Sequence, residues 1–267
     1  MADRGADWAL VTGASSGLGR ELAIALAVRG INLVLAARRE EPVRQLAARL
    51  TRQYGVEVLV EAIDLATPDS AATLLGRLDQ RHIEVDILIN NAAIGLSSAF
   101  VDQPSDHLRA MLQLNVVTFT ELAQVVGKRM VARGRGHILL VAGTAAYQPT
   151  PILSVYGAAK AFVLSLGEAL HVELGSQVNV TVLSPGFMDT DFSDAVGYRA
   201  PAWARRTRLS PVKVANIGLA AMFAGKPSVI AGRINRVVAF FGRFLSRHRQ
   251  AKMVFRQSSC AIRAVND

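Results

Sequence analysis

The run Ala9-Leu10-Val11, followed at once by Thr12-Gly13-Ala14-Ser15-Ser16-Gly17-Leu18-Gly19, constrains this chain more than any other stretch. Its three apolar residues read as a short buried strand. Leu22, Ile24, Ala25, Leu26 and Val28 then recur at helical spacing, and Gly30 stops the helix. A strand, a glycine-rich turn and a helix therefore stand in direct succession. Gly13 permits the tight turn. A side chain at Gly17 would keep backbone N–H groups away from a pyrophosphate, and one at Gly19 would hold helix and strand apart. The helix N-terminus, with its unsatisfied N–H groups and partial positive charge, suits phosphate. The glycine spacing is G-x-x-x-G-x-G, not the G-x-G-x-x-G of the long-chain dinucleotide enzymes.

A second strand, Asn32 to Ala36, ends in Ala37-Arg38-Arg39-Glu40. An acid at this strand end would bind the 2′-hydroxyl of NAD. Two arginines stand there instead, and a guanidinium fork suits a 2′-phosphate. The reading is NADP(H) in preference to NAD(H), with Arg38 on the phosphate and Arg39 beside it.

Strands alternate with helices along all 267 residues. That order predicts an α/β protein: one doubly wound parallel sheet with helices on both faces. The expected organisation is a single dinucleotide-binding and catalytic domain over 1–267. It includes a mobile substrate lid at about 187–210 and a basic amphipathic extension at about 230–267. The five histidines are scattered and predict no metal site. The single Cys260 excludes an intramolecular disulfide and suits a reducing cytoplasm. No signal-peptide pattern precedes the first strand, and no apolar run reaches the ~20 residues of a membrane span.

Tyr156 and Lys160 sit four apart in Tyr156-Gly-Ala-Ala-Lys160, on one predicted helical face. A phenol titrates near pH ~10, and a neighbouring ammonium favours the phenolate. The expectation is a tyrosine of lowered pKa that gives or takes a proton at a carbonyl or alcohol oxygen.

With these motifs in order, the chain resembles the short-chain dehydrogenase/reductase family from Trp8 to about Lys226. Thr12 to Gly19, including Ser15, Ser16 and Leu18, matches the family's T-G-x-x-x-G-x-G. Asp64-Leu65 matches the adenine-contacting Asp at the end of a third strand. Asn90-Asn91-Ala92-Ala93 follows the strand Asp86 to Ile89 and stands for N-N-A-G, with Ala93 in place of the usual Gly. Asn115 matches the helix asparagine that holds a proton-relay water, and Tyr156 and Lys160 match the catalytic pair. Pro185-Gly186-Phe187-Met188-Asp189-Thr190, after the strand Val178 to Leu183, matches P-G-x-x-x-T. The chain looks most like the bacterial reductases with a P-x-P segment before the tyrosine, here Pro149-Thr150-Pro151. The resemblance implies a Rossmann-like sheet of about seven strands. It also implies a homodimer or homotetramer built through the helices around Asn115 and Tyr156. Its division of labour gives Tyr156 the substrate proton and Lys160 the nicotinamide ribose.

One departure bears on chemistry. The family's carbonyl-polarising serine lies thirteen residues before the tyrosine, where this chain has Gly143. Glycine has no side-chain donor. Thr144 is the candidate substitute, with Ser154 behind it. Losing such a donor costs about 3 kcal/mol of transition-state stabilisation.

Phe187, Met188, Phe192, Val196, Tyr198 and Trp203, followed by Arg205-Arg206, predict a wall for a bulky hydrophobic carbonyl or alcohol. The net charge is +9, and the stretch from Lys226 to Asp267 carries nine Lys or Arg against one acid. Val237, Phe241, Phe244 and Phe255 fall near one helical stripe in that tail. Three readings stay open for it: a helix packed on its own domain or a partner subunit, an interfacial helix on anionic lipid as a peripheral membrane contact, and recognition of an acidic substrate or carrier. No nucleic-acid-binding module is present. Two functions from different classes fit the whole chain: an NADPH-dependent carbonyl reductase or alcohol dehydrogenase, and a cofactor-binding protein with weak or no redox activity.

Overall fold

The computed structural model describes residues 7–188, 190–198 and 207–266. Seven parallel strands form one sheet: β1 (Trp8–Thr12), β2 (Asn32–Ala37), β3 (Val58–Ala62), β4 (Ile87–Asn90), β5 (His137–Val141), β6 (Asn179–Ser184) and β7 (Ser228–Ile230). Their spatial order is β3-β2-β1-β4-β5-β6-β7, and every neighbouring pair is parallel. The order reverses between β1 and β4, which makes that junction the topological switch point.

Period-two alternation sends successive strand residues to opposite faces. Ala9, Val11, Leu33, Leu35, Ile87, Ile89, Leu139 and Val141 pack under α1 (Gly17–Ala27), α2 (Glu40–Tyr54) and α8 (Pro211–Phe223). Leu10, Val34, Leu88, Ile138 and Leu140 pack under α3 (Ser70–Gln80), α5 (Phe119–Arg133) and α6 (Ser154–Leu174) on the other face. Both faces of the central strands are buried, so these strands read as continuous apolar runs. The remaining helices are α4 (Ser105–Leu112), a short α7 (Asp191–Val196), α9 (Arg233–Gly242) and α10 (Arg247–Asn266). A single π-helical turn, Gln113–Thr118, joins α4 to α5.

The tail lies on its own domain by one side: α9 meets the turn Thr144–Tyr147, and Val254 of α10 is buried. It breaks into α9 and α10, and Val237, Phe240, Phe241 and Phe244 all stand exposed. Half-buried Asn235 also touches the domain, lying against Gly186.

Candidate active site

The carboxyl ends of β1 and β4 are tied together by one threonine. Thr12 Oγ1 donates to the Ile89 carbonyl at 3.3 Å and accepts from the N–H groups of Asn91 and Ala92 at 2.9 and 3.0 Å. Asn91 Nδ2 donates to the Thr12 carbonyl at 2.9 Å. These bonds hold the glycine turn against the β4 loop, with Ala93 next along it.

The turn is as tight as its residues allow. A Cβ on Gly19 would lie 2.3 Å from the Gly13 carbonyl oxygen, so helix and turn meet backbone to backbone. Gly17 has φ +54, and its missing side chain leaves room for Thr190, whose Cγ2 would lie 3.3 Å from a Cβ there. Tertiary folding thus brings Thr190 onto the turn from far along the chain. α1 begins without a side-chain cap on its first N–H groups and without an acid in its first turn. Ser15 and Ser16 face the end of β2, where Arg39 Nη2 donates to Ser16 Oγ at 2.9 Å and to Ser15 Oγ at 3.2 Å. The turn therefore has the free N–H groups and cation that a dinucleotide phosphate needs.

Of the two arginines expected at the cofactor, Arg39 reaches back over the turn to Ser15 and Ser16, and both Arg38 and Arg39 are exposed. Both arginines lie between the end of β2 and the start of α2, and spacing alone does not tell which side chain turns back. Asp64 closes a local turn, accepting from the Ala66 N–H at 2.9 Å, and Leu65 is buried beneath it.

Asn115 lies in the π-helical turn and is buried. Its Oδ1 accepts from the Ile94 N–H at 3.0 Å and its Nδ2 donates to the Ile94 carbonyl at 2.7 Å. The side chain thus positions the β4 loop. Tyr156 packs against that same loop: a Cβ on Gly95 would meet Tyr156 Cδ2 at 3.2 Å and Val196 Cγ2 at 3.1 Å. Phe192 lies against the phenol ring, with centroids 5.6 Å apart, and the Val196 carbonyl accepts from the Ser97 N–H at 2.8 Å. The short helix α7 therefore covers the tyrosine. Ile152, just before α6, holds φ +64, and its carbonyl accepts from the Ser98 N–H at 3.0 Å. A β-branched residue in this left-handed region is unfavourable, and spacing gives no sign of it.

Lys160 is 3% exposed, and its Nζ donates to the Val141 carbonyl at 2.8 Å. Burial lowers its pKa from 10.5 to about 8. Burial pushes the Tyr156 phenol well above its usual range. This reverses the expected lowering by Lys160. The ammonium is 5.7 Å from the phenol ring centre and bonded to a carbonyl, so desolvation outweighs its pull.

Gly143 follows the end of β5 in extended backbone, with φ 162 and ψ 167. A Cβ there would meet nothing closer than the Pro185 carbonyl at 3.7 Å. Thr144 is not a strand residue. It opens the 3-10 turn Thr144–Tyr147, and its N–H donates to the Pro185 carbonyl at 2.8 Å. Ser154 lines an apolar surface pocket with Phe100, Leu112 and Phe162 that Tyr156 does not line, and its hydroxyl is buried without a partner among the described residues.

Phe187 and Tyr198 stack at 5.7 Å, and Met188 pairs with Leu209. These contacts lie in the segment after Pro185 and Gly186 that was expected to face the substrate. Trp203, Arg205 and Arg206 lie outside the described residues. Sequence reasoning missed Asn235, which lies against Gly186 and whose Nδ2 donates to the Ala231 carbonyl at 2.7 Å. No helical period marks it, because its role comes from a neighbour distant in sequence. Among the described residues no group of His, Cys, Asp or Glu suits a metal, and no helix is long and apolar enough to cross a membrane.

The family model for short chain dehydrogenases matches residues 7–199. The chain is 33% identical over 193 residues to a probable oxidoreductase, EphD, of Mycobacterium tuberculosis; the match covers 72% of this chain and only 32% of that protein's length. Among solved structures it resembles a short-chain dehydrogenase from Sphingobium yanoikuyae in complex with NADPH. That match has 32% identity and a TM-score of 0.79, and covers 89% of this chain and 93% of the other. It also resembles the bulky-bulky ketone specific alcohol dehydrogenase of Comamonas testosteroni, at 30% identity and TM-score 0.75, over 85% and 87% of the two chains. With the glycine turn at the switch point and a tyrosine and lysine on α6, the chain belongs to the short-chain dehydrogenase family.

Proposed function

We propose that this protein interconverts a carbonyl and an alcohol on a bulky hydrophobic substrate, prefers NADP(H), and uses Tyr156 as proton donor and acceptor. The observation that carries the reading is the half-buried phenol: Tyr156 sits between Gly95 and Phe192, one helical turn from buried Lys160.

The Gly13 to Gly19 turn, with Ser15, Ser16 and Leu18, would hold the pyrophosphate. Arg39, joined by Arg38, would hold a 2′-phosphate. Asp64 and Leu65 would flank the adenine, and Asn91, Ala92, Ala93, Pro185, Gly186, Met188 and Thr190 the nicotinamide half. When bound, the nicotinamide supplies or accepts the hydride. The chain's own residues handle the proton. The raised phenol pKa keeps Tyr156 protonated at neutral pH, which suits donation to a developing alkoxide. Lys160, with a pKa of about 8, stays mostly protonated there and is soft enough to pass a proton on. Asn115 fixes the loop that backs the tyrosine. Phe187, Phe192, Val196 and Tyr198 exclude water and favour bulk, in keeping with the ketone preference of the similar Comamonas enzyme.

The same proposal includes a homodimer or homotetramer in a reducing cytoplasm. Leu112, Val117 and Phe162 present exposed apolar surface on the helices around Asn115 and Tyr156. A second reading, an NADP(H)-binding protein with weak or no turnover, is favoured by Gly143, which leaves the substrate oxygen without the usual hydroxyl donor. NADPH consumption over a panel of bulky ketones separates the two. We expect slow turnover by the natural protein, faster turnover by Gly143→Ser, and a loss of roughly 10²–10⁴-fold in Tyr156→Phe with NADPH binding kept. Tight NADPH binding with no turnover by either the natural protein or Gly143→Ser would establish the second reading.

A further inference from the structure

The C-terminal helices present a surface that the redox site does not use. Ile234, Val237, Val238 and Phe241 stand at i, i+3, i+4 and i+7 of α9, which puts them on one stripe, and all four are exposed. The stripe continues into an aromatic cluster: Phe240 meets Phe241 and Phe244 edge-on, with centroids 5.5 and 5.6 Å apart. Phe241 is 62% exposed and Phe244 74%. Asn235 and Ala239, both half-buried, lie on the opposite side of the helix, with Asn235 against Gly186. The helix is therefore fixed to the domain by one side, with the apolar stripe facing out.

Charge identifies the occupant. From Arg233 to Arg256 the chain carries seven Lys or Arg and no Asp or Glu, and all seven cations are exposed. A second copy docking through this face would bring like charges together and desolvate them, which is costly. An anionic lipid surface meets both demands: its phosphates receive the cations and its acyl boundary receives the phenylalanines. Long arginine side chains reach headgroups while their stems lie on apolar surface.

We propose that α9, the Arg243–Ser246 turn and the start of α10 form a docking surface for anionic membranes. The inference does not rest on the redox reading. It is tested with the full chain by co-sedimentation with vesicles of phosphatidylcholine alone or mixed with phosphatidylglycerol. The expected result is binding to the mixed vesicles only, reversed by high salt. Arg243→Ser/Arg247→Ser/Arg249→Ser should weaken partitioning on the order of a hundredfold. The single exposed substitution Phe244→Ser, with little folding risk, should weaken it about tenfold. Unchanged melting temperatures would show that both variants fold. Three results would overturn the proposal: no binding of the natural protein to mixed vesicles, equal binding to neutral ones, or variants that bind as the natural protein does. Failure to bind vesicles together with Phe244-dependent self-association in light scattering, or with Phe244-dependent binding to polyglutamate, would assign the face to a second copy or to an acidic protein.

Discussion

Gly143 occupies a backbone conformation open to any residue, and its missing Cβ has space around it. The absence of a hydroxyl there is therefore a property of the side chain alone and not of the local fold. Gly143→Ser should need no backbone adjustment, and a gain of up to about 100-fold in kcat is the expected size of a restored donor. Arg39 raises a second residue-scale question. Because its guanidinium lies on Ser15 and Ser16, Arg39→Ala should weaken NADPH roughly 10- to 100-fold in fluorescence titration and leave NADH nearly unchanged. The same substitution at Arg38 should do less, and equal losses for both cofactors would refute the assignment. Tyr156 makes the two directions of reaction respond differently to pH. A raised phenol pKa leaves the donor form filled across neutral pH and the acceptor form scarce. Carbonyl reduction should be flat between about pH 6 and 8 while alcohol oxidation climbs through that window, as seen in paired pH–rate profiles.

At the scale of elements, the β1 turn and α1 are locked by contact of backbone on backbone. Gly19→Ala puts a methyl where the Gly13 carbonyl already is, and neither partner is a flexible side chain. A loss of about 1–3 kcal/mol in urea unfolding, with cofactor binding abolished, is the expected outcome. Gly76 in α3 is the control: a Cβ there meets nothing within 4 Å, so Gly76→Ala should be neutral or stabilising by roughly 0.5–1 kcal/mol. The β1 turn was legible because strand, glycines and helix follow one another directly in sequence. The strands read as Ala9 to Val11 and Asn32 to Ala36 extend in the structure to Trp8–Thr12 and Asn32–Ala37. The π-helical turn at Asn115 was not legible, since no local period distinguishes six π-helical residues from a continuing α-helix.

The molecule as a whole couples stability to pH through the group at its centre. Lys160 has a folded pKa of about 8 against 10.5 when free, so between those values the unfolded chain binds more protons. Stability should rise with pH over that window, by up to about 3 kcal/mol, and Lys160→Met should remove the rise in urea melts of the cofactor-free protein. Tyr156 acts in the opposite sense and only above pH ~10, where the unfolded phenol ionises first. The sequence by itself determined the α/β class, the parallel winding, the glycine turn and the inventory of proton-bearing side chains. All of these follow from periodicity and turn chemistry among residues adjacent in the chain. Only the tertiary structure decided that Arg39 covers the turn, that Thr190 meets Gly17, that the phenol is raised instead of lowered, and that the tail's phenylalanines face out. Those depend on desolvation and on contacts between elements far apart in sequence, which spacing along the chain does not carry.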